Sequence, residues 1–451
     1  MIGLHAYLVN VLSILLCLQS LVTASAASFS PYSLTNKTLI LYDDSIEENF
    51  ASSYSTFLEL VQLNGLDYDL KAVSPSLDVQ LFDKLDARLF DNVIIFPAKT
   101  RELARSISVT TLEKFSEKGG NLLIVSGNKG TQTDVAAFLN QLGIFPSPKN
   151  YKFIDYHSQG SSDQSLVDLV EKPVFLNDKV VPDSIKLDQI SYKDGSVAIL
   201  GNNEYLIPIL KASDTSFTYD TDRGLISSES TWHSGSQGFL ISGYQARNNA
   251  RTLWIGSESV LDNEGINQDL ADSLLKWTFQ INGVIRSDFF THFKADQEGK
   301  KVQDQGEYKI KDFCKFEIGI SEWNGHSWEP YNSSDVQLEF IMLDPYYRLT
   351  LPFEEVRDSA VYGTVFEIPD QHGMFTFKVD YKRSGLSFVE ESTVVPVRHL
   401  ANDEYPRSWE ITNSWVYMAS IGAVIVAWLL FVLFYIVSGE KVVVSEEKKK
   451  N

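Results

Sequence analysis

Cysteine is nearly absent: Cys17 and Cys314 are the only two in 451 residues. Cys17 lies in an apolar leader that reads as a removable signal, so Cys314 stands alone and an internal disulfide framework is excluded. Stability must then come from apolar burial. Along Ile310 to Ile318, Cys314 alternates in phase with Phe316 and Ile318, the pattern of an inward strand face. A buried, inert thiol is expected there. Positive charge is also short. Lys and Arg total 39 against 59 Asp and Glu, a net charge of −20. With a pI near 4.8, that balance argues against a basic nucleic-acid surface. It fits a soluble lumenal surface and names no ligand. Internal repeats and low-complexity tracts are missing as well.

Catalytic signatures are equally scarce. No Gly-x-Ser-x-Gly elbow occurs, and His157, His233, His292, His326 and His372 are scattered without metal-ligand spacing. Asp43-Asp44 follows the first expected strand, where open α/β sheets place ligand-binding loops. Paired carboxylates there suit a metal or acid–base work; the plainer reading is a helix cap facing water. Ser126-Gly127-Asn128-Lys129-Gly130-Thr131 sits between a strand and a helix and could cradle phosphate. It matches neither the dinucleotide fingerprint nor the P-loop spacing, so an ordinary turn is the plainer reading. Nothing assembles an active site, and no cofactor or metal is expected.

The two ends carry more. Leu8 to Leu18 is an apolar stretch too short to span a bilayer, and Ala24-Ser25-Ala26 offers a small-residue cleavage site. Residues 1–26 therefore read as a signal peptide. Trp415 to Val437 contains no charge and is long enough, at ~1.5 Å per residue, to cross a ~30 Å hydrocarbon core. Behind it lie Lys441 and Lys448-Lys449-Lys450-Asn451. The positive-inside tendency places that tail in the cytosol and the acidic bulk in the lumen. Lys448 and Lys449 have the spacing of a dilysine retrieval signal, an address rather than an anchor. Within the span, Ala419, Ala423 and Ala427 recur every four residues beside Ser420 and Gly422. Such a stripe lets another helix approach closely in lipid. Two sequons, Asn36-Lys37-Thr38 and Asn332-Ser333-Ser334, are candidate glycosylation sites.

Between the ends the texture changes once. Thr38 to Tyr42, Asn92 to Phe96 and Asn121 to Val125 read as strands buried on both faces. Amphipathic stretches separate them: Ile46 to Leu63, Ser108 to Lys118 with a Gly119-Gly120 stop, and Thr133 to Leu142. This alternation predicts a doubly wound α/β region over 27–283, mainly parallel and possibly two subdomains. It continues through strands near Tyr205 to Leu210, Gly238 to Tyr244 and Thr252 to Gly256, and closes on a helix over Asn267 to Gln280. Over 284–400, alternating strands at Tyr308 to Ile320, Val336 to Leu343, Val361 to Ile368, Met374 to Tyr381 and Ser387 to Val397 predict an antiparallel β-sandwich. Residues 401–414 read as a juxtamembrane connector, 415–437 as the single transmembrane helix of a type I protein, and 438–451 as the tail.

Several strings point to one family. Gly243-Tyr244-Gln245-Ala246-Arg247-Asn248-Asn249-Ala250-Arg251 is the most specific. Asp335-Val336-Gln337-Leu338-Glu339-Phe340 with Asp344-Pro345, and Gly373 to Tyr381, support it. Asn92 to Phe96 and Val397-Arg398-His399-Leu400 add weaker matches. The chain resembles the wheat-germ-agglutinin-binding-protein subunit of oligosaccharyltransferase, in its fungal form, over almost its whole mature length. The resemblance implies an endoplasmic reticulum complex that moves a preassembled glycan from dolichyl diphosphate to Asn in Asn-x-Ser/Thr. It implies a non-catalytic subunit, because catalysis in that complex belongs to a polytopic subunit with a Trp-Trp-Asp signature. The present sequence has no Trp-Trp-Asp string. A ribophorin II-like subunit and a small defender-against-death-type subunit are the other implied partners. No catalytic residue carries over. Two rivals stay open: a free lumenal glycan-processing enzyme using Asp43 and Asp44, and a cargo or lectin-like receptor of the early secretory pathway.

Overall fold

The computed structural model describes residues 29–43, 49–74, 79–98, 104, 106–127, 131–157, 169–222, 231–303, 306–405 and 413–439. The signal peptide, Asp44, Asn128 to Gly130, and the tail with Lys448 and Lys449 lie outside them.

In the first region β1 (Lys37–Tyr42), β2 (Asp67–Ala72), β3 (Asn92–Ile95) and β4 (Asn121–Val125) pair in parallel in the order β2-β1-β3-β4. Between and after them run α1 (Ser55–Leu63), α2 (Val109–Glu117) and α3 (Thr133–Leu142). The start of α2 is fixed by Ser108, whose side chain accepts the Thr111 amide, a cap that stabilises by ~1 kcal/mol. Gly119, at φ +87°, turns the chain out of that helix.

Beyond α3 the sheet departs from the parallel expectation. Short strands β5 (Ile144–Pro146) and β6 (Ala198–Leu200) are followed by β7 (Leu206–Lys211), β8 (Phe239–Gln245) and β9 (Arg251–Ile255). Only β9 joins the parallel set, against β4. β8 pairs antiparallel with β9, β7 and β6, and β6 with β5. The result is a mixed ten-stranded sheet. Helix α4 (Gln268–Thr278) closes the region, with Asn267 capping the Leu270 amide.

Alternation of side chains across the parallel strands divides the apolar residues between two faces. Ile40, Ile94 and Leu123 pack with Phe57, Leu58 and Val61 of α1 and Leu270 and Leu274 of α4. Leu39, Leu41, Val93, Ile95 and Leu122 pack with Leu112 and Phe115 of α2 and Val135 and Phe138 of α3. Helices thus cover both faces.

The second region is built from β10 (Val284–Ala295), β11 (Phe313–Trp323), β12 (Gln337–Ile341), β13 (Pro345–Thr350), β14 (Ala360–Glu367), β15 (Gly373–Tyr381) and β16 (Val389–Arg398). One five-stranded sheet carries β10-β11-β14 and another carries β16-β15-β12-β13. Phe316 and Ile318 of the first meet Phe340, Phe375 and Phe377 of the second in one core. Two details depart from expectation. The strand foreseen over Tyr308 to Ile320 is broken at Lys311, which takes φ +64°. Its fragment Tyr308–Lys309 leaves to pair with Val397 and Arg398 in parallel, so this sheet is not antiparallel throughout.

The strand register gives this region two distinct ends. Val284 pairs with Trp323 and Tyr381 with Val389 at the end facing the first region. Ala295 pairs with Phe313 and Gly373 with Val397 at the other, from which the chain leaves. Helix α5 (Ser414–Val437) follows, with mean hydropathy 2.6 over its most apolar stretch.

Candidate functional site

The carboxyl ends of the parallel strands hold the residues that sequence reasoning weighed for chemistry. Asp43 is buried directly after β1. Ser126 is fully buried after β4, where its hydroxyl accepts the Trp254 indole N–H at 2.9 Å and contacts the Thr131 hydroxyl at 2.8 Å. The start of that turn is thereby tied to the sheet. The histidines do not converge. His233 is buried against the Gly235 carbonyl, and His292 stacks on Phe377 at 4.6 Å with Nδ1 at 2.9 Å from the Tyr308 hydroxyl. Burial lowers the pKa of both. His372 sits near His399, at 5.4 Å between rings, while His157 and His326 stand apart in turns. Among the described residues no three His, Cys, Asp or Glu side chains gather as a metal site. Cys314 is fully buried, donates to the Tyr308 hydroxyl at 3.4 Å, and is pushed up to about 12 by burial. It is the buried thiol expected.

The string from Gly243 to Arg251 has a physical role at the joint between the regions. It spans the turn between β8 and β9, where Asn249 adopts φ +67°. Its polar side chains address main-chain groups of neighbouring segments. Gln245 donates to the Leu386 carbonyl at 2.8 Å. Asn249 donates to the Phe388 carbonyl at 3.3 Å and accepts the Phe388 amide at 2.6 Å. Asn248 reaches back to the Ser116 and Glu117 carbonyls at the end of α2. Arg247 pairs with Glu390 at the surface.

Arg251 is fully buried and donates to the Trp277, Asn282 and Gly283 carbonyls at 2.6 to 2.7 Å. Burial pulls the guanidinium down to about 9, and its N–H donors are turned to three carbonyl oxygens, as a group with donors and no acceptor requires. It lies 5.0 Å over the Trp277 ring, whose indole N–H in turn donates to the Gly385 carbonyl at 2.9 Å. Gly243 makes room for that ring, since a Cβ there would stand 2.7 Å from Trp277. The joint is therefore a network of specific hydrogen bonds, in which Gln245, Asn249 and Arg251 of the string supply most of the donors.

Beside the joint opens a cleft of about 610 Å³ lined by Asp178 and Lys179 of the first region and by Asn332, Asp335, Tyr381 and Arg383 of the second. Burial opposes the Asp335 charge, but hydrogen bonds from Ser333, Arg383 and Tyr381 win and hold its carboxyl down at about 2. The sequons differ. Asn332 and Ser334 are exposed, whereas Asn36 is half-buried at φ +55° and Thr38 is fully buried in β1. At the exit end, Glu404 accepts two hydrogen bonds from Arg398, both at 2.8 Å, one from the Ala401 amide, and an ion pair from Lys309 at 2.6 Å. Hydrogen bonds from Arg398, then Lys309, hold that carboxyl well below the usual range. Sequence reading missed this clamp and the structural role of the joint, because both depend on partners distant in sequence. Ala419, Ala423 and Ala427 lie exposed along α5.

Fold and joint together define a two-region chain, coupled through main-chain-directed side chains and ending in one helix apolar and long enough to cross a bilayer. Residues 30–281 match the OST48 N-terminal domain and residues 292–439 the OST48 middle domain. The chain belongs to the OST48 family. It is 45% identical over 89% of its length, and 91% of the relative's, to the dolichyl-diphosphooligosaccharide–protein glycosyltransferase subunit WBP1 of Saccharomyces cerevisiae. It is 32% identical to the Schizosaccharomyces pombe subunit wbp1, covering 90% of this chain and 94% of that one. The 48 kDa subunit of the same transferase from Danio rerio is 28% identical, covering 90% and 92% of the two chains.

Proposed function

We propose that this chain is a subunit of the oligosaccharyltransferase complex, which transfers a preassembled glycan from dolichyl diphosphate to Asn in Asn-x-Ser/Thr. The observation that carries the reading is its near-full-length likeness to the yeast subunit. The chain acts as an accessory subunit and not as the catalyst. In support, Gln245, Asn249 and Arg251 of the most family-specific string spend their polar groups on main-chain atoms that join the two regions. On this reading the bulk of the chain is a doubly wound region to residue 283 and a β-sandwich over 284–400, both in the endoplasmic reticulum lumen. Helix α5 anchors them in the membrane and the tail lies in the cytosol. Ala419, Ala423 and Ala427 face a neighbouring membrane helix, Asn36 and Asn332 are the candidate glycan acceptors with Asn332 the more accessible, and Lys448 and Lys449 return the protein to the reticulum. Partners are the catalytic polytopic subunit, a ribophorin II-like subunit and a defender-against-death-type subunit.

A native pull-down through an epitope tag tests this directly. The reading expects these subunits in amounts comparable to the tagged chain. Recovery of the chain alone would refute it. Turnover of a glycan substrate by that isolated chain would install the free-enzyme reading, and binding without turnover the receptor reading.

A further inference from the structure

Most of the apolar side chains left open on the second region lie toward its exit end, with Phe353 and Val356 exposed elsewhere along the sheet. Leu343, at the tip of the hairpin joining β12 and β13, is 90% exposed. Met374 is 57% exposed at the start of β15, where it pairs with Pro396 of the exit strand. Val302, Tyr346 and Tyr405 are also exposed at this end. Register fixes the grouping: Ile341 pairs with Pro345 and Thr376, and Gly373 with Val397. The joint occupies the opposite end, so the first region cannot cover these side chains.

We propose that this end rests in the interfacial layer of the bilayer, with Leu343 as its insertion point. The proposal rests on the reading of α5 as a membrane anchor. Arg398 and Lys309 hold Glu404 against the end itself, so the leash to the membrane starts there. From Tyr405 to Asn413 an extended chain reaches at most ~28 Å, at ~3.5 Å per residue. The exposed tip is therefore tethered close to a lipid surface. Its chemistry suits that layer: aliphatic tips insert, and tyrosine settles at the headgroup boundary. Nearby lysines are paired, Lys300 with Glu298 and Lys311 with Asp370, and the residue adjoining Leu343 is the acidic Asp344. Attraction to anionic lipid is thus not the driving force, and neutral lipid suffices.

The test uses the full chain, with Cys17→Ser as background, reconstituted in phosphatidylcholine vesicles. Cys314 is buried and unreactive, so a thiol introduced by Leu343→Cys takes an environment-sensitive dye selectively. Val356→Cys, exposed near the joint end, is the reference, and Met374→Cys is a second probe should Leu343→Cys misfold. The proposal expects blue-shifted emission at 343, or at 374, and quenching by shallow spin-labelled lipid roughly twofold or more above that at 356. Equal quenching at both ends overturns it. A blue shift without lipid quenching, in the vesicles or in the purified complex, assigns the patch to a protein partner and also overturns it. Alkaline extraction of the chain from the vesicles would refute the anchor reading itself, separately from the docking.

Discussion

Arg251 offers the sharpest test of the joint. Replacing it with Met keeps the stem that lies against Trp277 but removes all three hydrogen bonds to the Trp277, Asn282 and Gly283 carbonyls. Leaving three buried carbonyls without a donor costs roughly 1–3 kcal/mol each, while eliminating the buried cation returns a large part of its desolvation penalty. A net loss of about 3 kcal/mol follows. Lys at the same position keeps charge but lacks the planar fork, so it satisfies fewer carbonyls and should lose about half as much. Because two regions need not unfold together, a single melting midpoint is a poor readout. Amide exchange is better, since the Ser387 amide donates to the Gly283 carbonyl at 2.9 Å and the Ile285 amide to the Ser387 hydroxyl at 2.6 Å. With ~1.4 kcal/mol per decade, Arg251→Met should speed exchange at these amides by roughly 100-fold, if local opening carries the exchange. Unchanged protection at both amides would refute the view that Arg251 pins the linker.

Gly243→Ala should destabilise the joint by ~1–3 kcal/mol, because its Cβ would stand 2.7 Å from Trp277; urea unfolding of the full chain in detergent measures it. The Asp335 pKa is depressed from 3.8 to about 2 on folding, so its stabilisation is complete above pH 4 and is lost as pH falls toward 2. The side chain is 45% exposed, which limits the effect to about 1 kcal/mol; Asp335→Asn should flatten the acid limb of a stability–pH curve by that amount. Ala423→Leu should release a membrane partner in mild detergent while Val432→Leu does not, since bulk at a small-residue helix contact blocks close approach. A reporter carrying residues 415–451 should leave the reticulum when Lys448 and Lys449 become Ser; full retention would remove the retrieval reading.

The sequence disclosed those elements whose burial is uniform or whose ends carry a local signal. β3 and β4 are buried at every position, and α2 has both its Ser108 cap and its Gly119 stop within the segment. It failed where the signal is weak or non-local. β2 is an edge strand with alternating exposure and two Asp and one Lys among its residues, which masks its apolar pattern. β10 is mostly half-exposed along its middle, so no clean alternation marks it. The antiparallel turn of the sheet at β8 is a matter of topology, which periodicity does not encode. The joint was visible only as an unusual string. Its meaning lies in bonds from Gln245, Asn249 and Trp277 to residues 385–388, more than a hundred positions away, which no local pattern reveals.

The most direct test of the central claim is glycan occupancy on secretory proteins after depletion of this chain. The account predicts broad underglycosylation with loss of partner subunits, restored by the wild-type chain and also by an Asp43→Asn, Asp44→Asn variant that folds. Normal occupancy after depletion would contradict membership of the transferase. A variant that assembles normally yet abolishes transfer would contradict the accessory role.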